Sequence, residues 1–266
     1  MGKTSARGFE MAYDDAGSGP AVVLLHGYPF NRSMWREQAD ILKNDYRVIT
    51  PDLRGLGESG VPDDSQATID EMVRDVAALL DELEIKRIAL GGLSMGGYVA
   101  FSFYRNFFWR VRALVLADTR PQGDTEEARR GREEQAQKVL EEGMESIADG
   151  FLKKVLTART ISQEPEITGR VREMIVATKP AGAANALRAM AARRDQTDFL
   201  PDILAPALVI VGSDDPITPP TDAELMHREI RGSRLEIIEG ASHLSNLEQP
   251  ERFNHALKTF LDELQP

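Results

Sequence analysis

Arg87-Ile88-Ala89-Leu90 is short, apolar and β-prone, and Gly97-Tyr98-Val99-Ala100-Phe101 has the pattern of a buried helix start. Between them lies Gly92-Leu93-Ser94-Met95-Gly96. A strand that becomes a helix within so few residues turns sharply, which strains the serine backbone at the corner and admits only small neighbours. Gly92 and Gly96 supply them and let strand and helix approach closely. At such a nucleophile elbow the hydroxyl projects beyond the sheet edge, and the helix N-terminus aims its N–H groups at incoming negative charge. The G-x-S-x-G pattern alone also fits an ordinary glycine-rich turn; the strand before it and the helix after it set it apart.

The flanking chain repeats the same alternation. Strands are expected at Phe9–Tyr13, Ala21–Leu25, Arg47–Thr50, Arg112–Ala117, Pro206–Gly212 and Arg234–Ile238, with Asp14 to Pro20 as a turn. Ala21-Val22-Val23-Leu24-Leu25 is apolar throughout, as in a strand covered on both faces of a parallel sheet. Asn31 or Ser33 can cap a helix through Trp35 and Leu42. Thr68-x-x-Glu71 is a capping box for a periodic helix from Ile69 to Leu83, and Pro250 opens a last helix. The loop Pro51 to Ser59 is glycine-rich but lacks G-x-G-x-x-G and a Walker lysine, so its role is structural. From Thr119 to Asp198 no strand-like run occurs, and amphipathic helices take over. The fold class is therefore α/β: a doubly wound, mostly parallel sheet built from residues 1–118 and 199–266, with a helical cap inserted at 119–198.

Composition narrows the chemistry. At 266 residues and 42% hydrophobic content the chain can bury a large core. A net charge of −11 argues against nucleic acid or an acidic membrane as partner. With no cysteine, disulfides, thiolate catalysis and cysteine-held metals are excluded, and no cofactor is expected. The N-terminus lacks the apolar core of a signal peptide and no run approaches a membrane span, so a cytoplasmic location is the expectation.

A serine nucleophile needs a base, and only His26, His227, His243 and His255 are available. His243 follows the last strand among small residues. His227 and His255 fall within helices, and His26 beside Gly27 suits backbone shaping. The histidine needs an acid to fix its tautomer. Asp215 follows the penultimate strand, Asp214 adjoins it in what could be a plain turn before Pro216, and Asp118 ends another strand. The order Ser94, Asp215, His243 suits a strand-helix scaffold with the serine at an elbow. Oxyanion donors are expected from the backbone N–H of Met95 and from that of Tyr28, in the loop that Gly27 lets approach the elbow.

These residues resemble the α/β-hydrolase superfamily over essentially the whole chain. The matching stretches are His26-Gly27, Asp52-x-Arg54-Gly55-x-Gly57-x-Ser59, Gly92 to Gly97, Gly212-x-x-Asp215-x-x-x-Pro219 and Gly240-x-x-His243-Leu244 with Asn246 to Pro250. The family spacing, rather than any physical argument, favours Asp215 over Asp214. Within the superfamily the chain is most similar to small bacterial carboxylesterases and 3-oxoadipate enol-lactonase-like hydrolases, and also to cofactor-free haloperoxidases and perhydrolases. The resemblance implies an acyl-enzyme cycle on small esters or lactones. Serine at the elbow argues against haloalkane dehalogenases and epoxide hydrolases, which carry aspartate there. The alternatives are C–C, amide or perhydrolase chemistry on the same three residues, or a ligand receptor of the same fold with little turnover.

Met144, Phe151, Met174, Leu187 and Met190 in the cap are candidate pocket walls. A carboxylate-bearing lactone would want a cationic partner, with Arg120, Arg188, Arg193 and Arg194 as candidates of unknown position. Phe107-Phe108-Trp109 departs from the family, whose members carry a solvated turn there. Such aromatics suit packing under a neighbouring helix, a contact in a homo-oligomer or an engineered change.

Overall fold

Four apolar runs form the centre of the sheet: β3 (Ala21–Leu25), β5 (Ile88–Leu93), β6 (Val111–Ala117) and β7 (Ala207–Gly212). Nearly every residue in them is buried, because helices cover both faces. β4 (Arg47–Pro51) and β8 (Arg234–Ile238) continue the parallel part, and β1 (Gly2–Ala6) and β2 (Phe9–Ala16) add an antiparallel edge. The order is β1-β2-β4-β3-β5-β6-β7-β8. The computed structural model describes residues 2–61 and 68–264. Met1, residues 62–67 and Gln265–Pro266, which include both ends of the expected core, lie outside the described residues.

Helix placement follows from strand order. From β3 the chain crosses to β4 on one side through α1 (Arg36–Leu42). From β4 it passes to β5 through α2 (Ile69–Glu82), and from β5 to β6 through α3 (Met95–Phe107), both in the other direction. Right-handed crossovers in opposite directions put helices on opposite faces. The order reverses between β3 and β5, which opens a crevice at their carboxyl ends. The parallel registers align those ends: Leu25 faces Gly92, Leu93 faces Ala117, and Ala117 faces Ile210.

Between β6 and β7 run α4 (Glu126–Glu142), α5 (Glu145–Val155), α6 (Ala158–Gln163), α7 (Pro165–Val176) and α8 (Pro180–Ala191). After β7 come α9 (Pro220–Glu229), then β8, α10 (Ser245–Glu248) and α11 (Pro250–Glu263). Two groups of polar contacts are prominent among those that fasten the helical insertion to the core. On one side Arg170 pairs with Glu37 and donates to the Ser33 carbonyl at 2.7 Å, and the Thr178 hydroxyl donates to the Pro29 carbonyl at 2.6 Å. On the other, buried Glu248 accepts from Thr157 N–H and hydroxyl, both at 2.8 Å, and the Leu244 N–H donates to the Val155 carbonyl. Among the described residues no helix is long and apolar enough to cross a membrane.

Several sequence expectations need adjustment. β1 precedes the strand expected first; its residues carry no apolar pattern, and it is held by an antiparallel hairpin through Arg7 and Gly8, both at positive φ. Asp14–Ala16, expected as turn, extends β2 by pairing with Val48–Thr50. Thr68 caps α2 by accepting from Glu71 N–H at 3.1 Å, while the Glu71 carboxylate turns to Arg7 and Arg74 instead of completing the box. Phe107 packs against Phe103, but Phe108 and Trp109 are 59% and 60% exposed, so packing under a helix accounts for only the first of the three. The Pro51–Ser59 loop is braced by buried Asp52, which accepts from the N–H groups of Arg32 and Glu58 and pairs with the Arg32 guanidinium.

The elbow is one of the tight points of the fold. A methyl group on Gly96 would overlap the Leu25 carbonyl oxygen, which is backbone and cannot swing aside. Gly96→Ala should therefore lower stability by about 1–3 kcal/mol, read from urea unfolding. An unchanged midpoint would show that α3 and β3 are not in this close contact.

Candidate active site

Ser94 sits between β5 and α3 with φ 54 and ψ −113, a strained conformation for a non-glycine residue. Its own N–H donates to the Ala117 carbonyl at 3.0 Å, and Thr119 Oγ1 donates to its carbonyl at 2.8 Å, so neighbouring β6 holds the corner. Met95 is the first residue of α3, where a helix leaves its N–H without an internal acceptor. A Cβ on Gly27 would meet Leu93 and Ser94 at 3.3–3.4 Å, so the loop carrying Tyr28 runs directly against the elbow. His26 braces that loop. The Leu53 N–H donates to its Nε2 at 2.9 Å, which leaves the proton on Nδ1 for the Gly27 carbonyl at 2.9 Å. Burial pushes the His26 pKa down, in keeping with a neutral ring.

Asp215 and His243 meet across the ends of β7 and β8. His243 Nδ1 lies 2.8 Å from Asp215 Oδ2, and both side chains are buried. Asp215 also accepts from Thr218 Oγ1 at 2.7 Å and from the N–H groups of Ile217 and Thr218 at 2.8 and 3.0 Å. Burial opposes its ionisation, but the His243 charge and these hydrogen bonds hold the carboxyl below its usual range. Carboxylate on Nδ1 leaves His243 Nε2 as the acceptor nitrogen. The Ser242 N–H donates to Glu248, so the turn carrying His243 is fixed from both sides. Ser94 and His243 line one cavity of about 60 Å³.

The two other aspartates considered are placed elsewhere. Asp214 is exposed and takes a hydrogen bond from Ser213. Asp118 is fully buried, accepting from the Gly212 N–H at 2.9 Å and from Ser245 Oγ at 2.5 Å. Burial and the adjacent Asp215 charge push its pKa well up, and its hydrogen bonds tie β6 to β7 and α10. His227 and His255 are exposed on α9 and α11.

Of the five candidate walls, Phe151, Leu187 and Met190 line the cavity. Met144 and Met174 do not: both are buried in the hydrophobic core and are not among the residues that line the cavity. Tyr98, Arg132, Gln135 and Ile217 line the cavity and were not foreseen. Tyr98 lies one helical turn after Ser94, a spacing that could have marked it. Arg132 and Gln135 lie three apart on a strongly charged helix, which reads as solvated in sequence. None of Arg120, Arg188, Arg193 and Arg194 lines this cavity.

Replacing His26 by Ala should cost about 1–3 kcal/mol, because the buried Leu53 N–H loses its acceptor. Thermal unfolding measures this; no loss of stability would mean that the loop after β3 does not depend on the ring.

The family described as alpha/beta hydrolase fold matches residues 20–250. The 3-oxoadipate enol-lactonase 2 of Acinetobacter baylyi is 34% identical over 242 residues, covering 91% of this chain and 88% of the relative. Among solved structures, a thermophilic esterase from Thermogutta terrifontis with malate bound superposes with a TM-score of 0.96 at 40% identity, covering 99% of this chain and 98% of that one. The enol-lactonase of Burkholderia xenovorans LB400 gives 0.92 at 31% identity, covering 98% and 100%. A match across most of the sequence, on a sheet whose switch point carries a serine elbow, means that the chain belongs to the α/β-hydrolase family.

Proposed function

We propose that the protein hydrolyses small carboxylic esters or lactones through an acyl-enzyme, with Ser94 as nucleophile, His243 as general base and Asp215 as the acid that orients it. The observation that carries the reading is the hydrogen bond between His243 Nδ1 and Asp215 at the cavity that also holds Ser94. It leaves Nε2 unprotonated and able to take the Ser94 proton. The similarity to an esterase and to enol-lactonases supports the choice of ester and lactone substrates.

The cycle uses these residues as follows. Ser94 Oγ bonds to the ester carbonyl carbon while its proton passes to His243 Nε2. The carbonyl oxygen becomes an oxyanion and accepts from the N–H groups of Met95 and Tyr28, the first of which also lies at the positive end of α3. The intermediate collapses, the C–O bond breaks, and the leaving alcohol takes the proton from His243. In a lactone that alcohol stays tethered to the acyl group. Water then attacks the acyl-enzyme, giving its proton to His243, and collapse releases the acid and returns the proton to Ser94. Residues 119–198 form the cap over this site. A cavity of about 60 Å³ favours short acyl groups; at ~10–15 Å³ per water-sized group it admits only a few heavy atoms.

p-Nitrophenyl acetate, butyrate and octanoate test the reading. Acetate and butyrate should be cleaved faster than octanoate, and Ser94→Ala should lose at least about 1000-fold in kcat. Asp215→Asn should lose activity far more than Asp214→Asn. Turnover retained in Ser94→Ala would remove the serine from the mechanism, and equal effects of the two asparagine variants would remove Asp215.

A further inference from the structure

A second cavity, of about 260 Å³, adjoins the catalytic one, with Tyr98 in the wall of both. Four arginines line it: Arg105 on α3, Arg120 after β6, and Arg193 and Arg194 after α8. One carboxylate lines it, Asp70, and that group already accepts from Ser102 Oγ at 2.5 Å. The hydrolytic cycle uses none of these side chains.

The protein neutralises the four guanidiniums only in part. Arg193 is buried, 4.2 Å from the centroid of the Tyr98 ring, and its donors go to Asp124 and to the Gln122 and Met190 carbonyls. Arg120 reaches the same Asp124 at 3.3 Å, while its Nε is buried without a hydrogen-bond partner among the described residues. Asp124 also pairs with Arg132, so one carboxylate serves three guanidiniums. Arg105 donates from Nε to Gln196 at 2.9 Å, and exposed Arg194 makes no hydrogen bond or ion pair among the described residues. Burial and the Arg194 charge both push the Arg105 pKa down, as expected of like charges around one space. Asp195, Asp202 and Asp222 lie near enough to be felt by these arginines but do not line the cavity. Thr68, Ile69 and Asp70 at the start of α2 also line it, and a helix N-terminus adds partial positive charge.

Positive groups that converge from separate elements suit an anion with acceptors in several directions. A phosphate offers this: its oxygens are tetrahedral, it carries about two negative charges, and guanidiniums pair with it bidentately. A carboxylate accepts in one plane only. The space exceeds a single phosphate, since at ~10–15 Å³ per water-sized group it holds about twenty such groups.

We propose that this second cavity binds a phosphate group, free or carried by a small molecule, held by Arg105, Arg120 and Arg194 beside the Arg193–Tyr98 stack. The site does not depend on the hydrolase reading, because the anion binds whether or not an ester is turned over.

The test is calorimetry of the whole chain with inorganic phosphate, pyrophosphate and glycerol 3-phosphate, with glycerol as the neutral control. At least one of the anions should bind and glycerol should not. Arg105→Gln combined with Arg194→Gln should weaken that binding about ten-fold or more. Arg129→Gln combined with Arg130→Gln removes the same charge from the exposed face of α4 and should leave binding nearly unchanged. Glycerol 3-phosphate binding more tightly than inorganic phosphate assigns the cavity to an organic phosphate; the reverse order assigns it to the free anion. No binding of any anion, binding that survives loss of Arg105 and Arg194, or equal weakening in the α4 control overturns the site. If the Arg105 and Arg194 double variant does not fold, Arg194→Gln alone decides, and undiminished affinity there overturns the proposal.

Discussion

The site depends on one close backbone contact, where the start of α3 packs against the end of β3. Gly96 lies so near the Leu25 carbonyl that no side chain fits between them. That contact forces Ser94 into a positive-φ corner, a conformation costing about 1–3 kcal/mol, which the surrounding sheet must offset. The hydrogen bonds from Ser94 N–H to Ala117 and from Thr119 to the Ser94 carbonyl fix the corner to β6. The Gly27-Tyr28 loop runs against the same corner, where a Cβ on Gly27 would meet Leu93 and Ser94. The proposed nucleophile and the proposed oxyanion donors thus share one structural cause, and loosening either Gly27 or Gly96 would disturb both.

Electrostatics divides the acidic groups at this edge by environment. Asp215 and Asp118 follow adjacent parallel strands and are close enough to feel each other's charge. Asp215 has His243 and two backbone N–H groups and stays ionised. Asp118 has a single N–H and the Ser245 hydroxyl, and burial favours its neutral form. Asp215 therefore stands behind the proposed base, and Asp118 acts as a brace between β6, β7 and α10. Above them the helical insertion is fixed to both shoulders of the crevice, by Thr178 at the Pro29 carbonyl and by Glu248 at Thr157.

Much of this was legible in the chain because the relevant signals are local. Strands covered on both faces appear as unbroken apolar runs, and a serine between a strand and a helix announces its corner. Ser94, Asp215 and His243 each follow a strand, and parallel register brings strand ends together. Physical reasoning alone could not separate Asp214 from Asp215, since both leave β7; the choice lies in which side chain turns inward. β1 was missed because an edge strand of polar residues has no hydrophobic pattern. Met144 and Met174 were misplaced because helical spacing reveals an apolar face but not whether it lines a cavity or fills a core. Arg132 escaped notice for the converse reason: on a helix of charged residues, the one that turns inward looks like its neighbours.

The central claim is that Ser94 becomes covalently acylated. Rapid acid quench of the protein with p-nitrophenyl acetate, followed by intact-mass and peptide mass spectrometry, tests it most directly. The account predicts one acetyl group per chain, located on the peptide containing Ser94 and absent from Ser94→Ala. Turnover with no trapped adduct in either wild type or a His243→Ala variant, or an acetyl group on another residue, would contradict it.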